Sequence, residues 1–460
     1  MYSLFGVRFN WQVFLVFAIS IYLLFPEISI YSYFAIIISL QQFSLLFNSL
    51  GSVIPVRYFF GCLMCLQIFV GPMLAYNGLD AYQISTYKMK IPEADYFSYA
   101  LPAVVCFILG LHISAKNLAG EVINQEKVRH FVSRNQNLPY FFIILGFLSS
   151  FAAELFSTDL AFVFVLIGGF KFVGLIMLIL GNVKLKLIPL IIVIGSIISS
   201  SLGSAMFHDL LTWLLFIGAV LAVKYKPGNV IKLLAATLFI ILSILIQGLK
   251  TDYRINTSEK REDAGLETFA RTYEENQQNE SVFNLKSIAK SNVRINQGFI
   301  ITNIMNTIPS KIPFSKGEEL WQILEAAFLP RIIAPDKLTA GNQEVFKKYS
   351  GMQLSKTTSM GLSSVGDAYI NFGVFGGCVF MFFLGLLYSE VLNAFYKYSK
   401  YYPLLLTFTA LVFYFPIRPD CELQTILGHL VKSCFLIFVI MQLWKHVFKI
   451  NLAPVAKVAY

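Results

Sequence analysis

The chain has 460 residues, of which 57% are hydrophobic and 13% charged, with a mean hydropathy of +0.67. Soluble domains are about 25% charged, so this composition excludes an ordinary soluble fold and indicates a membrane protein. The formal net charge of +10 must therefore be explained within a mainly apolar chain.

Apolar runs of membrane-spanning length recur along the chain. A helix needs about 20 mostly apolar residues to cross lipid. We predict an all-α polytopic membrane protein with about twelve spans, at 11–25, 28–50, 56–76, 97–114, 139–156, 160–180, 185–202, 206–223, 230–249, 368–392, 402–416 and 426–444. The first run has no small-residue cleavage site, so we interpret it as a retained helix.

The segments between these helices differ in positive charge. With both termini inside, the inside segments contain 16 Lys and Arg residues and the short outside loops contain 3. Cytoplasmic loops are enriched in Lys and Arg, so this distribution predicts cytoplasmic termini. Topology therefore explains most of the net charge, and no nucleic-acid partner is expected.

One long segment, 250–367, interrupts the series of spans and lies outside on this topology. It holds 15 Lys and Arg and 14 Asp and Glu residues. Two stretches, SVFNLKSIAKSNVRINQGFIITNIM and GEELWQILEAAFLP, are amphipathic, which predicts helices in the headgroup plane. The chain thus divides into nine spans (1–249), the outside segment (250–367) and three final spans (368–460).

Cationic side chains collect at the edges of this outside segment. They are Lys250, Arg254, Arg294, Arg331, Lys337 and Arg418. Guanidinium groups suit phosphate because their planar fork can bind two oxygens at once. We therefore predict a site for a lipid-linked pyrophosphate at headgroup level. Lys286, Lys290 and Arg294 would form a basic stripe on one face of a helix. Ordinary contact with lipid headgroups is the alternative interpretation of this stripe.

The stretch FLPRIIAPDK, residues 328 to 337, places three charges on a rigid backbone. Pro330 and Pro335 restrict the chain around Arg331, Asp336 and Lys337. This rigidity would aim the charged side chains at a headgroup-level ligand. A simple turn with an Asp–Lys ion pair of little energetic value is the alternative.

The stretch SSVGDAYINFGVFGG, residues 363–377, opens the tenth predicted span. Asp367, Tyr369 and Asn371 add polar groups at its outer mouth. Gly373 and Gly377 form a GxxxG pattern, which is typical of close helix packing. For Asp367, helix capping and a substrate role are both open interpretations.

These motifs, in this order around one large outside segment, resemble the Wzy-type polymerases of O-antigen and other polysaccharide repeat units. FLPRIIAPDK resembles a proline-flanked Arg…Pro-Asp-Lys element of that family, and VGDAYINFGVFGG resembles its Gly-(Glu/Asp)-x-Tyr-x-Asn-Phe-Gly-x-x-Gly element. RINQG at 294–298 resembles an upstream Arg-plus-Gly element. The close matches cover about 30 residues, and the topology covers the whole chain.

The resemblance implies a membrane glycosyltransferase of the GT-C-like kind in a bacterial inner membrane. It would transfer a growing glycan from undecaprenyl pyrophosphate to the non-reducing end of a new lipid-linked repeat unit. Besides these glycans and membrane lipids, a chain-length regulator and a flippase are the partners it suggests. Neither a metal nor another cofactor is expected, since clustered cations can stabilise the leaving pyrophosphate.

The resemblance also suggests roles for individual residues. Arg294, Arg331, Lys337 and Asp367 come from the motifs, whereas Arg254 and Arg418 come only from the topology. Asp336 or Asp367 would accept the proton of the acceptor hydroxyl. Tyr369 and Asn371 would contribute to glycan binding.

Two other classes remain open. An O-antigen ligase, which moves glycan to a lipid A core, would use the same arginines but typically needs an outside histidine, and 250–367 contains none. A lipid-glycan flippase or other transporter usually has internal repeats, and the chain shows none. The first outside loop contains only the acidic residue Glu27, which argues against a metal site with paired acidic residues.

The charge distribution makes the topology testable. Position 276, in the outside segment, should react with a membrane-impermeant thiol reagent on intact cells when it carries the only cysteine of the chain. Labelling that requires broken membranes would reverse the orientation.

Arg331 should tolerate little change if it binds pyrophosphate. Arg331→Ala should lower polymer yield per inserted molecule about 10- to 100-fold, because a charge-assisted hydrogen bond contributes roughly 1.5–3 kcal/mol. Arg331→Lys should recover little of this, and Lys290→Ala should cost far less. Equal yields for wild type and Arg331→Ala would make the stretch a structural turn.

Overall fold

The protein is described from a computed structural model. The structure describes residues 2–4, 7–115, 123, 125–156, 158–258, 263–279, 285–329, 333–334, 336–354 and 360–447. Arg331, Pro330 and Pro335, for which the sequence predicts a rigid charged stretch, lie outside the described residues.

In the part of the chain that the structure describes, the fold is helical apart from one short N-terminal hairpin. Strands β1 (Tyr2–Leu4) and β2 (Val7–Phe9) pair antiparallel. The helices before the long polar segment are α1 Trp11–Leu24, α2 Ile30–Ser49, α3 Val56–Cys65, α4 Gly71–Tyr76, α5 Glu93–Ile113, α6 Gln125–Arg134, α7 Leu138–Ala152, α8 Thr158–Gly168, α9 Phe170–Gly181, α10 Leu187–Ser204, α11 His208–Tyr225 and α12 Asn229–Ser258. Those that follow are α13 Leu266–Asn279, α14 Leu285–Ile295, α15 Gly298–Thr307, α16 Glu318–Phe328, α17 Gln343–Ser350, α18 Ser363–Ser399, α19 Leu405–Val412 and α20 Leu423–His446.

Nine helices among the described residues are long and apolar enough to cross a membrane. They are Ile30–Ser49, Val56–Tyr76, Glu93–Ile113, Phe162–Gly181, Leu187–Ser204, His208–Tyr225, Asn229–Thr257, Ser363–Ser399 and Leu423–His446. Two further predicted spans, 11–25 and 139–156, are shorter apolar helices of 14 and 15 residues. The membrane character is confirmed, whereas the count of twelve spans is not.

The remaining predicted span, 402–416, contains only the eight-residue helix α19. Pro416 accounts for this, because a proline lacks the N–H that would bond the carbonyl four residues earlier and its ring clashes with that group. That earlier residue is Val412, where α19 ends. The chain continues through turns to Leu423, whose N–H donates to Asp367 near the start of α18. Residues 400–422 therefore return along α18 with only one short helix.

The irregular backbone after α19 is buried by neighbouring helices. Phe413 is fully buried, and Ile417 is 1% exposed. The carbonyl of Leu411 accepts a hydrogen bond of 2.7 Å from Nε2 of His429 in α20. Non-helical backbone at membrane depth is tolerated only where protein or a cavity surrounds it, and this segment meets that requirement.

Helices α5 and α18 form the closest packing in the core. A Cβ added at Gly385 of α18 would lie 2.2 Å from the carbonyl oxygen of Phe107, and one at Gly110 of α5 would lie 2.0 Å from that of Phe382. Only hydrogen side chains at these positions allow the two backbones to approach so closely. The two glycines of the predicted GxxxG pattern have different roles. Gly377 packs against α5, whereas Gly373 (φ 66°) kinks α18.

Arg57 joins the other end of this pair to α3. The side chain is only 1% exposed, and its guanidinium donates to the Leu111 carbonyl, to Ser389 Oγ (2.5 Å) and to Asn393 Oδ1 (2.9 Å). Arg57 is one of the 16 Lys and Arg residues that the sequence assigns to the inside segments. Its structural role is instead to bond the ends of three helices together.

The segment 250–367 is more deeply integrated than the sequence predicts. Helix α12 continues through the boundary predicted at 249 and ends at Ser258. Helix α15 is buried along most of its length, so this part of the first amphipathic stretch packs within the protein instead of exposing an apolar face. Helix α16 fits the prediction better, since it exposes Trp321 and Phe328 while burying Ile323 and Ala327.

The glycine contacts predict a selective loss of stability. Gly385→Ala should destabilise the protein by about 1–3 kcal/mol, because the added methyl group overpacks the α5–α18 contact. Gly195→Ala is the matched control, since a Cβ at this transmembrane position meets nothing within 4 Å. Thermal unfolding of the purified proteins in detergent measures both changes. Equal midpoints for the two variants would contradict the packing argument.

Candidate functional site

Four cations from three parts of the chain lie close together. Lys250 lies within electrostatic range of Arg254, Arg294 and Arg418, and also of Asp420. Lys250 makes no hydrogen bond or ion pair with any residue that the structure describes. We call Lys250, Arg254, Arg294 and Arg418 the cationic cluster. The structure thus brings together four of the six cations from which the sequence predicts a site, namely Lys250, Arg254, Arg294 and Arg418.

Arg294 reaches this cluster from the end of α14. Its Nη2 donates to Thr251 Oγ1 of α12 at 2.8 Å. Burial lowers the pKa of the Arg294 guanidinium; Tyr87 opposes that effect, and the like charge of Arg254 adds to it. Positive charge is therefore concentrated here at some electrostatic cost, as expected for a place that receives an anion.

The RINQG stretch positions Arg294 against a distortion in the third span. Residues Leu66–Val70 form a π-helical turn between α3 and α4, and the carbonyl of Gln67 accepts from the N–H of Gln297 at 3.0 Å. A Cβ at Gly298 would lie 2.4 Å from Pro72, so a glycine is needed for this contact. Such π-helical turns are frequent at functional sites.

Arg418 is fixed by carboxylates on both sides. Its Nη1 lies 3.4 Å from Asp209 Oδ1, and its Nη2 lies 3.2 Å from Asp420 Oδ2. The side chain is 9% exposed, and its guanidinium stacks 5.4 Å from the Phe415 ring. The cationic cluster and these two carboxylates together have four positive and two negative groups, so the set is net positive.

The contact with Arg418 changes the pKa of the Asp420 carboxyl. Burial alone would raise the pKa of its carboxyl, but the charge and hydrogen bond of Arg418 lower it below the ordinary value. A depressed folded-state pKa gives a carboxylate that stabilises the fold at neutral pH and loses that contribution as pH falls through the folded pKa. Asp420 is therefore ionised when the protein works near neutrality.

The motif around Asp367 forms a structural junction. Asp367 Oδ2 accepts from the N–H of Leu423 at 2.9 Å, which caps α20. Asn371 Oδ1 accepts from Ser315 Oγ at 2.7 Å and from the N–H of Leu320 at 3.0 Å, which caps α16. Each side chain satisfies a helix-terminal donor that otherwise lacks a partner. Asp367 therefore does not cap the helix that it was expected to open, since α18 begins at Ser363; it caps α20 instead.

Tyr369 packs in the same junction. Its ring centroid lies 5.0 Å from that of Tyr99 and 5.6 Å from that of Phe314, and the residue is 6% exposed. These contacts join α18 to α5 and to the chain before α16. Tyr369 therefore lies apart from the exposed surface on which a glycan would bind.

The described part of the proline-flanked stretch lies at the end of α16. The Lys337 ammonium donates to the carbonyls of Ala326 (3.2 Å) and Leu329. Cations are favourable at a helix C-terminus, where the last carbonyls lack intrahelical partners. Asp336 is exposed in the adjoining turn. The described hydrogen bonds of Lys337 thus join it to the end of α16.

A small groove with a mainly apolar lining surface lies beside the junction. Its polar lining residues are Glu319, Asn342, Tyr349, Asp367, Glu422 and Gln424. Burial, together with the hydrogen bond to Glu319, raises the pKa of Tyr349 to about 12, so its hydroxyl stays protonated. Glu422 follows Asp420 by two residues. The turn Arg418–Glu422 therefore connects the cationic cluster to the groove.

Sequence reasoning missed two residues next to Arg418. His208 Nε2 lies 2.9 Å from Asp209 Oδ1 at the start of α11, and the same oxygen accepts from the Tyr414 hydroxyl. The available signal was two adjacent polar residues near the start of the predicted span 206–223, at the end assigned to the outside. The pair looks like an ordinary helix start, and only the packing of α11 against the turn after α19 distinguishes it.

The fold defines a multi-spanning helical membrane protein whose charged residues collect around the segment between α12 and α18. The chain belongs to the family described as Domain of unknown function (DUF8712), whose model matches residues 53–450. No curated protein and no solved structure matches the chain.

The double pairing of Arg418 predicts a specific response to mutation. Arg418→Met should destabilise the protein by about 3 kcal/mol, because it leaves Asp209 and Asp420 without their cation. Adding Asp420→Asn should recover part of that loss. Arg129→Met is the control, since Arg129 pairs with the largely exposed Glu126 and should cost less than about 1 kcal/mol. Thermal unfolding in detergent compares the three; equal losses for both arginines would contradict the prediction.

Proposed function

We propose that the protein is a polymerase of lipid-linked oligosaccharide repeat units in a bacterial inner membrane. It takes two undecaprenyl-pyrophosphate-linked glycans at the outer face and transfers the growing chain to the non-reducing end of the new unit. The convergence of Lys250, Arg254, Arg294 and Arg418, connected by one turn to a groove with polar side chains in its wall, is the observation that carries this proposal.

The cationic cluster serves the leaving group. When the glycosidic bond to pyrophosphate breaks, negative charge develops on the phosphate oxygens. Positive groups that are already oriented stabilise that charge without reorganisation at the moment of reaction. Lys250 and Arg254 lie at the end of the lipid-facing helix α12, where a lipid-linked phosphate would arrive. The reaction proposed here therefore uses no metal.

The groove serves the glycan. Carboxylates such as Glu319 and Glu422 accept hydrogen bonds from sugar hydroxyls, and Asn342 and Gln424 add amide groups. One oxygen of Glu422 is held by the N–H of Gly341 at 2.7 Å, so its orientation is fixed before a ligand binds. The turn Arg418–Glu422 keeps the glycan subsite next to the pyrophosphate subsite.

An O-antigen ligase is the second candidate. The lack of histidine in 250–367 argues against it, but His208 supplies a histidine beside Arg418 from another part of the chain. A flippase gains no comparable support, since the clustered charges and the groove lie around one segment rather than along a path between helices.

Deletion in the native host, followed by analysis of surface glycans, separates the candidates. A polymerase deletion should leave glycans capped with a single repeat unit. A ligase deletion should accumulate polymer on undecaprenyl pyrophosphate, and a flippase deletion should trap single units inside. Either of the last two outcomes would overturn the proposal.

The cationic cluster makes a residue-level prediction in the complemented host. Arg294→Gln should lower polymer yield per inserted molecule at least about tenfold, because one charge-assisted contact contributes roughly 1.5–3 kcal/mol. Lys290→Gln is the matched control, since Lys290 is an exposed cation one turn earlier on α14. Equal yields for these two variants would separate the cluster from the reaction.

A further inference from the structure

His208 and Asp209 form a hydrogen-bonded pair at the start of α11. The Nε2 of His208 lies 2.9 Å from Asp209 Oδ1. An ionised carboxylate only accepts hydrogen bonds, so this contact places the ring proton on Nε2. The other ring nitrogen, Nδ1, then carries the lone pair and is the basic atom of the imidazole.

Asp209 is held in place by two more donors. The same Oδ1 accepts from the Tyr414 hydroxyl, and Arg418 Nη1 lies 3.4 Å away. Three groups from two parts of the chain therefore converge on one oxygen. A carboxylate fixed in this way fixes the imidazole that is bonded to it, which is the arrangement of a base with its orienting group.

The pair lies beside the cationic cluster. Arg418 belongs to the cluster and also contacts Asp209 of the pair. His208 is close enough to Asp420 to lower the pKa of its carboxyl. The His208 side chain is 32% exposed, so a ligand can reach it. His429 also packs against Phe415, but it is buried and its Nε2 is bonded to the Leu411 carbonyl. Of these two histidines, His208 is the accessible one.

The carboxylates expected from the sequence are less suited to accept a proton. Asp367 uses Oδ2 to cap α20 and is 5% exposed. Asp336 lies in an exposed turn at the end of α16, without a contact to the cationic cluster among the described residues. His208 combines an orienting carboxylate, access to ligand and proximity to Arg418, a combination that neither aspartate has.

We propose that His208 is the general base of the glycosyl transfer and that Asp209 is its positioning residue, an inference that rests on the proposed function. Nδ1 of His208 takes the proton of the acceptor hydroxyl as that oxygen forms a bond to the anomeric carbon of the donor sugar. The bond from this carbon to the pyrophosphate oxygen breaks, and its electron pair leaves with the lipid pyrophosphate. The cationic cluster stabilises the charge that develops there.

The test uses membranes of the deletion host, which contain the accumulated lipid-linked repeat units, with each variant expressed from a plasmid. The rate of polymer formation per inserted molecule should fall about 100-fold or more for His208→Gln and for His208→Ala, since general base catalysis typically contributes that factor or a larger one. His130→Gln is the control, because His130 is exposed on α6. It should polymerise at the wild-type rate.

Chemical rescue separates a base from a structural histidine. Added imidazole should raise the rate of His208→Ala in proportion to its concentration and leave His208→Gln and wild type unchanged. Wild-type rates for His208→Gln, or no rescue of normally inserted His208→Ala, would overturn the role of His208 while the polymerase proposal stands. If wild-type membranes form no polymer, the proposed function fails and this inference fails with it.

Discussion

The proline-induced end of α19 is the constraint on which the polar architecture depends. Because Pro416 cannot continue the helix, the chain returns along α18 as turns rather than as a regular span. Those turns bring Arg418 and Asp420 to the start of α11 and bring Glu422 to the groove. A continuous helix would distribute these side chains around its circumference. Because neighbouring helices bury this segment, its irregular backbone is tolerated in a membrane protein.

The junction around Asp367 depends on the same segment. Asp367 caps α20 where the returning chain ends, and Asn371, one helical turn later, caps α16. Two helix starts from distant parts of the sequence are thus held by one face of α18. The close α5–α18 contact supports this face from behind, through Gly377 and Tyr99. The polar residues of the motif therefore have a structural role, since they hold the starts of two helices. Asp367 also lines the groove, which is where it could contact a ligand.

Much of the membrane architecture could be predicted because spanning helices are encoded by the length of apolar runs. The convergence of Arg254, Arg294 and Arg418 was also expected, since topology restricts them to one side. The end of α19 was not, because the residues between Pro403 and Pro416 are as apolar as those of a full span. The His208–Asp209 pair was missed because its meaning lies in the contact with Arg418, which is 209 residues later than Asp209. Sequence periodicity carries no information about such a contact.

The exposure of α12 has a consequence for how a ligand reaches the cations at its end. Only 6% of its spanning window is buried within the chain, so this helix lies at the edge of the bundle. Under the proposed function, an amphiphile with a phosphate headgroup would therefore approach Lys250 and Arg254 by lateral diffusion within one leaflet, without entering bulk water. Occupancy then depends on the mole fraction of that amphiphile in the membrane, and competition comes from the other anionic lipids of the same leaflet. Under the proposed function, a scarce carrier would compete with abundant headgroups, and a forked guanidinium such as that of Arg254 suits this task because it can bind two phosphate oxygens at once.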